Sequence, residues 1–224
     1  MASSYLLCDF VAGGTQADLA ARFLLETGVV RSLAGAVWVH QIHGTRIARW
    51  QPDAPFDTDQ EADGVTVDAR SLVDSLQAPT AIVVTADCVP ILWAHRREPL
   101  WGAVHASRQN LEEGILNSLT HEVTDLQVNW ADIDVVLGPA ICGSCYEVGS
   151  ELRDKWQQID PQTLCLSTRG RLALDLPDYV SRTLTSQGAH VSTWASCTLE
   201  NLHWFSYRRD QTTKRNLGWV RKTR

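Results

Sequence analysis

The chain contains one methionine, Met1, and no two of its seven histidines stand one residue apart. A centre holding several coppers draws on many closely spaced histidines, and a blue-copper site commonly adds an axial methionine, so both absences speak against a multicopper oxidase. No apolar run approaches the ~18 residues of a membrane-spanning helix. The opening stretch from Met1 to Phe10 has neither the basic segment nor the long apolar core of a secretory signal. A cytoplasmic protein with no membrane partner is the expectation. Basic excess is missing too: the formal net charge is −6, which speaks against a nucleic-acid partner and leaves any phosphate contact local. Neither an internal repeat nor a low-complexity tract interrupts the chain.

What is present suffices for one core. With 224 residues, 44% of them hydrophobic, the chain is read as a single domain spanning 1–224. Leu19, Phe23 and Leu24 predict a helix over Asp18–Thr27, and Val37, Trp38, Val39 and Ile42 predict a strand over Ala36–Ile42. From Pro52 to Gly64 two prolines and five acids stand without a Lys or Arg, which predicts an exposed loop bordering a pocket. Ala81–Ala86 reads as a buried strand leading into Cys88, with Leu100–His105 as its hairpin partner across the polar turn His95–Pro99. Leu111, Ile115, Leu119 and Val123 recur every fourth residue and predict a helix over Asn110–Val123, with Asn110 as N-cap and Glu112 and Glu113 at the positive end of its dipole. Further helices are expected over Gly149–Gln157 and Tyr179–Gln187, and strands over Ile133–Leu137 and His190–Trp194. Strands with scattered helices amount to an α+β domain. The nine tryptophans are assigned to the core.

Three side chains at the ends of short apolar runs carry the chemistry: His43, Cys88 and His105. A thiolate with two imidazoles suits Zn²⁺, with copper possible, and three protein ligands leave a fourth position for water or substrate. Asp87, beside Cys88, is a secondary candidate as a proton carrier or as a hydrogen-bonding support. His40 stands three residues from His43, so in an extended strand the two face opposite ways and His40 is read as structural. His95, His121, His190 and His203 lack ligand spacing. Cys142-Gly143-Ser144-Cys145 has C-x-x-C spacing, but without a second such pair it is read as a tight turn. The six cysteines are expected to stay reduced.

These residues fall within a longer series. Gln41-Ile42-His43-Gly44, Ala62-Asp63-Gly64-Val65-Thr66, Thr85-Ala86-Asp87-Cys88-Val89-Pro90, Val104-His105-Ala106, Leu137-Gly138-Pro139-Ala140-Ile141, Cys145-Tyr146-Glu147-Val148-Gly149 and Phe205-Ser206-Tyr207-Arg208-Arg209-Asp210 follow in order. The series resembles the laccase-domain proteins, also described as multicopper polyphenol oxidase-like or purine nucleoside phosphorylase-type, from about Trp38 to Trp219. The resemblance implies mixed β-sheets packed with helices, and a metal site on His43, Cys88 and His105. It further implies phosphorolysis of adenosine- or inosine-like nucleosides, with adenosine deamination as a related activity, through zinc-activated water or phosphate. Nucleoside and phosphate are then the partners.

Where the family pattern continues as A-G-W-R-G, this chain reads Ala106-Ser107-Arg108-Gln109-Asn110, so Gln109 occupies the arginine position and Arg108 stands one residue away. Thr213-Lys214-Arg215 replaces Thr-Gly-Arg. Arginine supplies a charged fork for phosphate that glutamine does not, so Gln41, Arg108, Arg208 and Arg209 are the candidates for substrate or phosphate contact. Two other readings stay open. Cys88 and His105 form a metal-free thiolate–imidazolium hydrolase, or the chain is a non-enzymatic binding member linked to cell-wall precursor quality control, as attached to relatives. The sequence leaves the oligomeric state open.

Overall fold

The computed structural model describes residues 6–12, 22, 25–26, 35–74 and 77–222. The helix expected over Asp18–Thr27 falls almost wholly outside the described residues.

Two sheets form the framework. One has four strands in the order β1 (Leu6–Ala12), β12 (Asn216–Lys222), β5 (Thr80–Thr85) and β2 (Ala36–Val37). The other has six: β11 (His190–Thr193), β8 (Ile133–Leu137), β6 (Val89–His95), β7 (Leu100–Ala106), β4 (Gly64–Asp68) and β3 (Ile47–Trp50). Parallel and antiparallel pairs occur in both. A short ribbon of β9 (Leu164–Leu166) and β10 (Leu172–Leu174) stands apart. The helices are α1 (Arg108–Glu113), α2 (Ile115–Asp125), α3 (Glu151–Ile159), α4 (Leu176–Gln187) and the one-turn α5 (Tyr207–Asp210). This is the expected α+β architecture, and no described helix is long and apolar enough to cross a membrane.

Every residue of β6 and β7 is buried, because the six-stranded sheet is covered on both faces. Alternation divides the two strands between two cores. Val89, Ile91, Trp93, Leu100 and Val104 pack against Leu111, Ile115, Leu119, Val180 and Leu184 of the helices. Leu92, Ala94, Trp101 and Ala103 face the smaller sheet and meet Phe10, Val83 and Val220. His105, next to the end of β7, shares the parity of Trp101 and Ala103 and so lies on the side between the sheets.

Four local expectations need correction. Leu100–His105 pairs with Val89–His95, not with Ala81–Ala86: the register sets Pro90 opposite His105, while β5 belongs to the other sheet. The strand over Ala36–Ile42 ends at Val37, after which Ala62 and Gln60 take up the backbone of His40 in a single bridge. The helix over Asn110–Val123 is two helices, broken at Gly114 with φ +98°. Its N-cap is Ser107, whose hydroxyl accepts from the Asn110 N–H while the Asn110 side chain returns a bond to the Ser107 N–H, so Asn110 occupies the third position of the turn. Glu112 and Glu113 consequently close α1 instead of facing its positive end.

Candidate active site

Cys88 stands where the chain crosses from one sheet to the other. β5 ends at Thr85, Asp87 takes φ +85°, and β6 begins at Val89. Asp87 holds this turn through three bonds. Its Oδ1 accepts from Thr198 Oγ1 at 2.6 Å, its Oδ2 from the Arg208 N–H at 2.6 Å, and its carbonyl from the Ile141 N–H at 2.9 Å. His43 also has positive φ, at +63°. For non-glycine residues such a conformation costs about 1–3 kcal/mol and needs outside support.

Asp63 supplies that support. The carboxylate is fully buried and accepts the backbone N–H groups of Ile42, His43 and Gly44 at 3.1, 3.0 and 2.7 Å, wrapping the loop around itself. The same group lies 2.7 Å from His105 Nδ1. Burial pushes the Asp63 carboxyl up, but the bonds from His105, Gly44 and Ile42 more than reverse this and hold it below the usual carboxylate range. An ionised carboxylate only accepts, so Nδ1 of His105 carries a proton and Nε2 is the nitrogen left to meet a metal once its own proton is displaced.

One ligand atom each from His43, Cys88 and His105 lies within 4.8 Å of the others. The two imidazoles meet edge to face, with ring centres 4.9 Å apart. Burial raises the Cys88 thiol, yet the charge and hydrogen bonds of His105 and then His43 bring it down to about 6. Burial lowers His105, but Cys88 and Asp63 raise it to about 9. The thiol is thus held as thiolate at neutral pH, the form in which cysteine binds a metal or attacks an electrophile.

The cluster lies at a cavity of about 910 Å³ whose wall includes Trp38, Asp59, Tyr207 and Arg215. Asp59 comes from the acidic loop, which does border the pocket. Gln41 lines the cavity, but its amide bonds both backbone groups of Val84, at 2.8 and 2.9 Å, and so mimics a strand neighbour of β5. Arg108 is not in the cavity wall and bonds Glu112 at 2.6 Å. Arg209 is spent on the carbonyls of Thr198, Leu199 and Trp204. Arg208 lies over the Tyr146 ring at 5.1 Å and bonds the Glu147 carbonyl.

Sequence reasoning missed Asp63, Trp38 and Arg215. Composition groups Asp63 with the exposed acids of 52–64, although it directly precedes the buried strand β4. Thr213-Lys214-Arg215 stands out in the sequence as a departure from the family pattern, but that departure by itself gives Arg215 no role. Trp38 had been assigned to the core. His40, read as structural, also lines the cavity, because the chain there is not an extended strand.

The family described as multi-copper polyphenol oxidoreductase laccase matches residues 17–222. The chain belongs to this laccase family. Relatives include the purine nucleoside phosphorylase ORF3 of Streptomyces griseus, 35% identical over 84% of this chain and 74% of that protein. A purine nucleoside phosphorylase of Mycobacterium bovis is 29% identical over 97% of this chain and 85% of its own. Among solved structures, YlmD of Geobacillus stearothermophilus has a TM-score of 0.77 and 26% identity, covering 94% of this chain and 81% of that one. The Bacillus licheniformis protein YfiH shares the fold at a TM-score of 0.75 and 24% identity, over 90% of this chain and 79% of that one. Against the multi-copper description of this laccase family, the histidines that could bind a metal gather in one cluster among the described residues.

Proposed function

We propose that the chain is a metal-dependent purine nucleoside enzyme, acting on adenosine- and inosine-like nucleosides by phosphorolysis and on adenosine by deamination. The observation that carries this reading is the convergence of His43, Cys88 and His105 on a cavity large enough for a nucleoside. The printed names of the relatives support the substrate class.

One thiolate with two imidazoles is a donor set that fits Zn²⁺, with copper as the alternative, and three ligands suit an open catalytic site. When bound, the ion supplies Lewis acidity, lowering the pKa of water and polarising substrate oxygen. The protein's own part is positioning. Asp63 fixes the His105 tautomer and the His43 loop. Trp38 and Tyr207 offer flat surfaces for a purine, and Arg215 in the cavity wall is the cationic group for phosphate.

In phosphorolysis a phosphate oxygen forms the bond to the anomeric carbon as the glycosidic C–N bond breaks; its electron pair leaves with the base, which takes up a proton. In deamination a water oxygen bonds to the amino-bearing ring carbon and ammonia departs. Arg108, outside the cavity wall and paired with Glu112, takes no part in this reading of the phosphate site.

Product analysis of adenosine and inosine incubations, with and without phosphate and with metal content measured in parallel, tests the reading. Free base with ribose 1-phosphate, or inosine from adenosine, in proportion to bound metal is the expected result. Nucleoside binding without turnover favours the non-enzymatic reading. A second enzymatic reading has its own support in the Cys88 thiolate beside the raised His105 imidazolium, the pair a cysteine hydrolase uses. Full activity in metal-free protein selects it.

A further inference from the structure

A second group of donors lies outside the cavity wall. Sγ of Cys142, Cys145 and Cys197 and a carboxylate oxygen of Glu200 all lie within 4.8 Å of one another. We propose that these four residues form a structural Zn²⁺ site that staples the loop after β8 to the loop after β11.

The sequence pattern now reads as two matched halves. Cys142-x-x-Cys145 is followed by Cys197-x-x-Glu200, and paired ligands two residues apart are how structural zinc sites are commonly built. Both halves turn back on themselves. The N–H groups of Cys145 and Tyr146 bond the Cys142 carbonyl at 3.0 and 2.9 Å, and the Asn201 N–H bonds the Cys197 carbonyl at 2.9 Å. Gly143 is required in the first turn, since a Cβ there would lie 2.7 Å from Cβ of Asp175.

The two halves are already aligned. Ala140 and Cys197 form a parallel bridge, and the Cys142 N–H points at Cys197 Sγ at 3.5 Å. All three thiols are free and partly buried, while the carboxylate residue is exposed. With Zn–S bonds of about 2.3 Å, the edge of a tetrahedral site is roughly 3.8 Å, so closing the set takes about an ångström of side-chain movement or less. Four protein donors complete the coordination shell, which distinguishes this site from the three-donor cluster of His43, Cys88 and His105.

The placement gives the staple a purpose. Thr198, next to Cys197, bonds the Asp87 carboxylate, and Tyr146, next to Cys145, carries Arg208 on its ring. The first holds Asp87 in the turn that presents Cys88, and the second packs on Arg208, whose backbone N–H also bonds Asp87.

The test is metal stoichiometry on the full chain, with Co²⁺ substitution to report thiolate ligation by its charge-transfer absorption. Wild type is expected to hold about two ions per chain, one in an open site and one in a closed site. Cys197→Ser loses one and keeps the other; His43→Ala does the reverse. Glu200→Gln, at an exposed position, keeps both but yields one to a chelator faster than wild type. Should Cys197→Ser fail to fold, alkylation mapping of wild type decides: Cys142, Cys145 and Cys197 react only after chelation. A single ion lost on His43→Ala alone, a disulfide within the trio in native protein, or alkylation of Cys197 indifferent to chelator overturns the site. None of these outcomes depends on nucleoside turnover, so failure here is distinct from failure of the proposed activity.

Discussion

Asp63 Oδ1 lies 2.7 Å from His105 Nδ1 and takes the backbone N–H of His43 at 3.0 Å. One carboxylate oxygen therefore orients the imidazole of one candidate ligand and the main chain of another. Neither histidine is placed by its own element alone: His105 ends a strand, and His43 sits on a loop whose shape Asp63 dictates.

Asp63→Asn keeps the shape of the side chain but replaces one accepting oxygen with a donor. Metal affinity, measured by competition with a chelator, is expected to fall about 10–100-fold, the usual effect of losing the group that orients a ligating imidazole. Unchanged affinity would show that His105 is oriented by packing alone.

Arg215 and Arg209 separate a substrate role from a structural one. Arg215→Ala is expected to raise KM for phosphate about 10–100-fold, the size of one charged hydrogen bond of about 1.5–3 kcal/mol, while adenosine deamination keeps its rate. Arg209→Ala removes the bonds to the carbonyls of Thr198, Leu199 and Trp204 and is expected to lower the melting temperature. Equal phosphate KM in wild type and Arg215→Ala removes Arg215 from the phosphate site.

Glu112 ties α1 to α3 through Lys155 and the Trp156 indole, and pairs with Arg108 within α1. Burial pushes its carboxyl up, but Lys155, Arg108 and Trp156 more than offset this and hold it below the usual carboxylate range. A depressed folded-state pKa stabilises above the unfolded value, and that contribution is lost as pH falls through the folded one. Glu112→Gln is expected to cost about 1–3 kcal/mol at neutral pH. Urea midpoints should show the gap from wild type closing in acid; a gap constant with pH would assign the loss to packing.

Gly102 sits in β7 where the Trp93 indole crosses it, and a Cβ would also lie 2.6 Å from the Val65 carbonyl. Gly102→Ala is expected to destabilise by about 1–3 kcal/mol or more through overpacking. Denaturant unfolding at neutral pH measures it, and a wild-type midpoint would mean that Trp93 has room to move.

Leu100–Ala106 is legible as a strand because burial on both faces leaves an uninterrupted apolar run, whereas Val89–His95, which forms β6, received no strand of its own from the sequence. The candidate ligands were legible because each closes or borders such a run. Pairing was less so: Ala81–Ala86 and Val89–His95 are equally apolar, and local pattern does not say which of them neighbours β7. The break at Gly114 hid behind a four-residue apolar repeat that continues through it. Asp63 hid among acids of the same loop, since composition does not separate a buried carboxylate bonded by backbone N–H groups from a solvated one.

Residue types and their order along the chain determined the candidate donor set: a thiol and two imidazoles set beside buried strands, in a family series, without the closely spaced histidines of a several-copper centre. Tertiary structure alone decided which groups act together. Contacts across long sequence separations, Asp63 to His105, Asp87 to Thr198 and Cys142 to Cys197, arise from packing two sheets and their connecting loops, and no local periodicity encodes them.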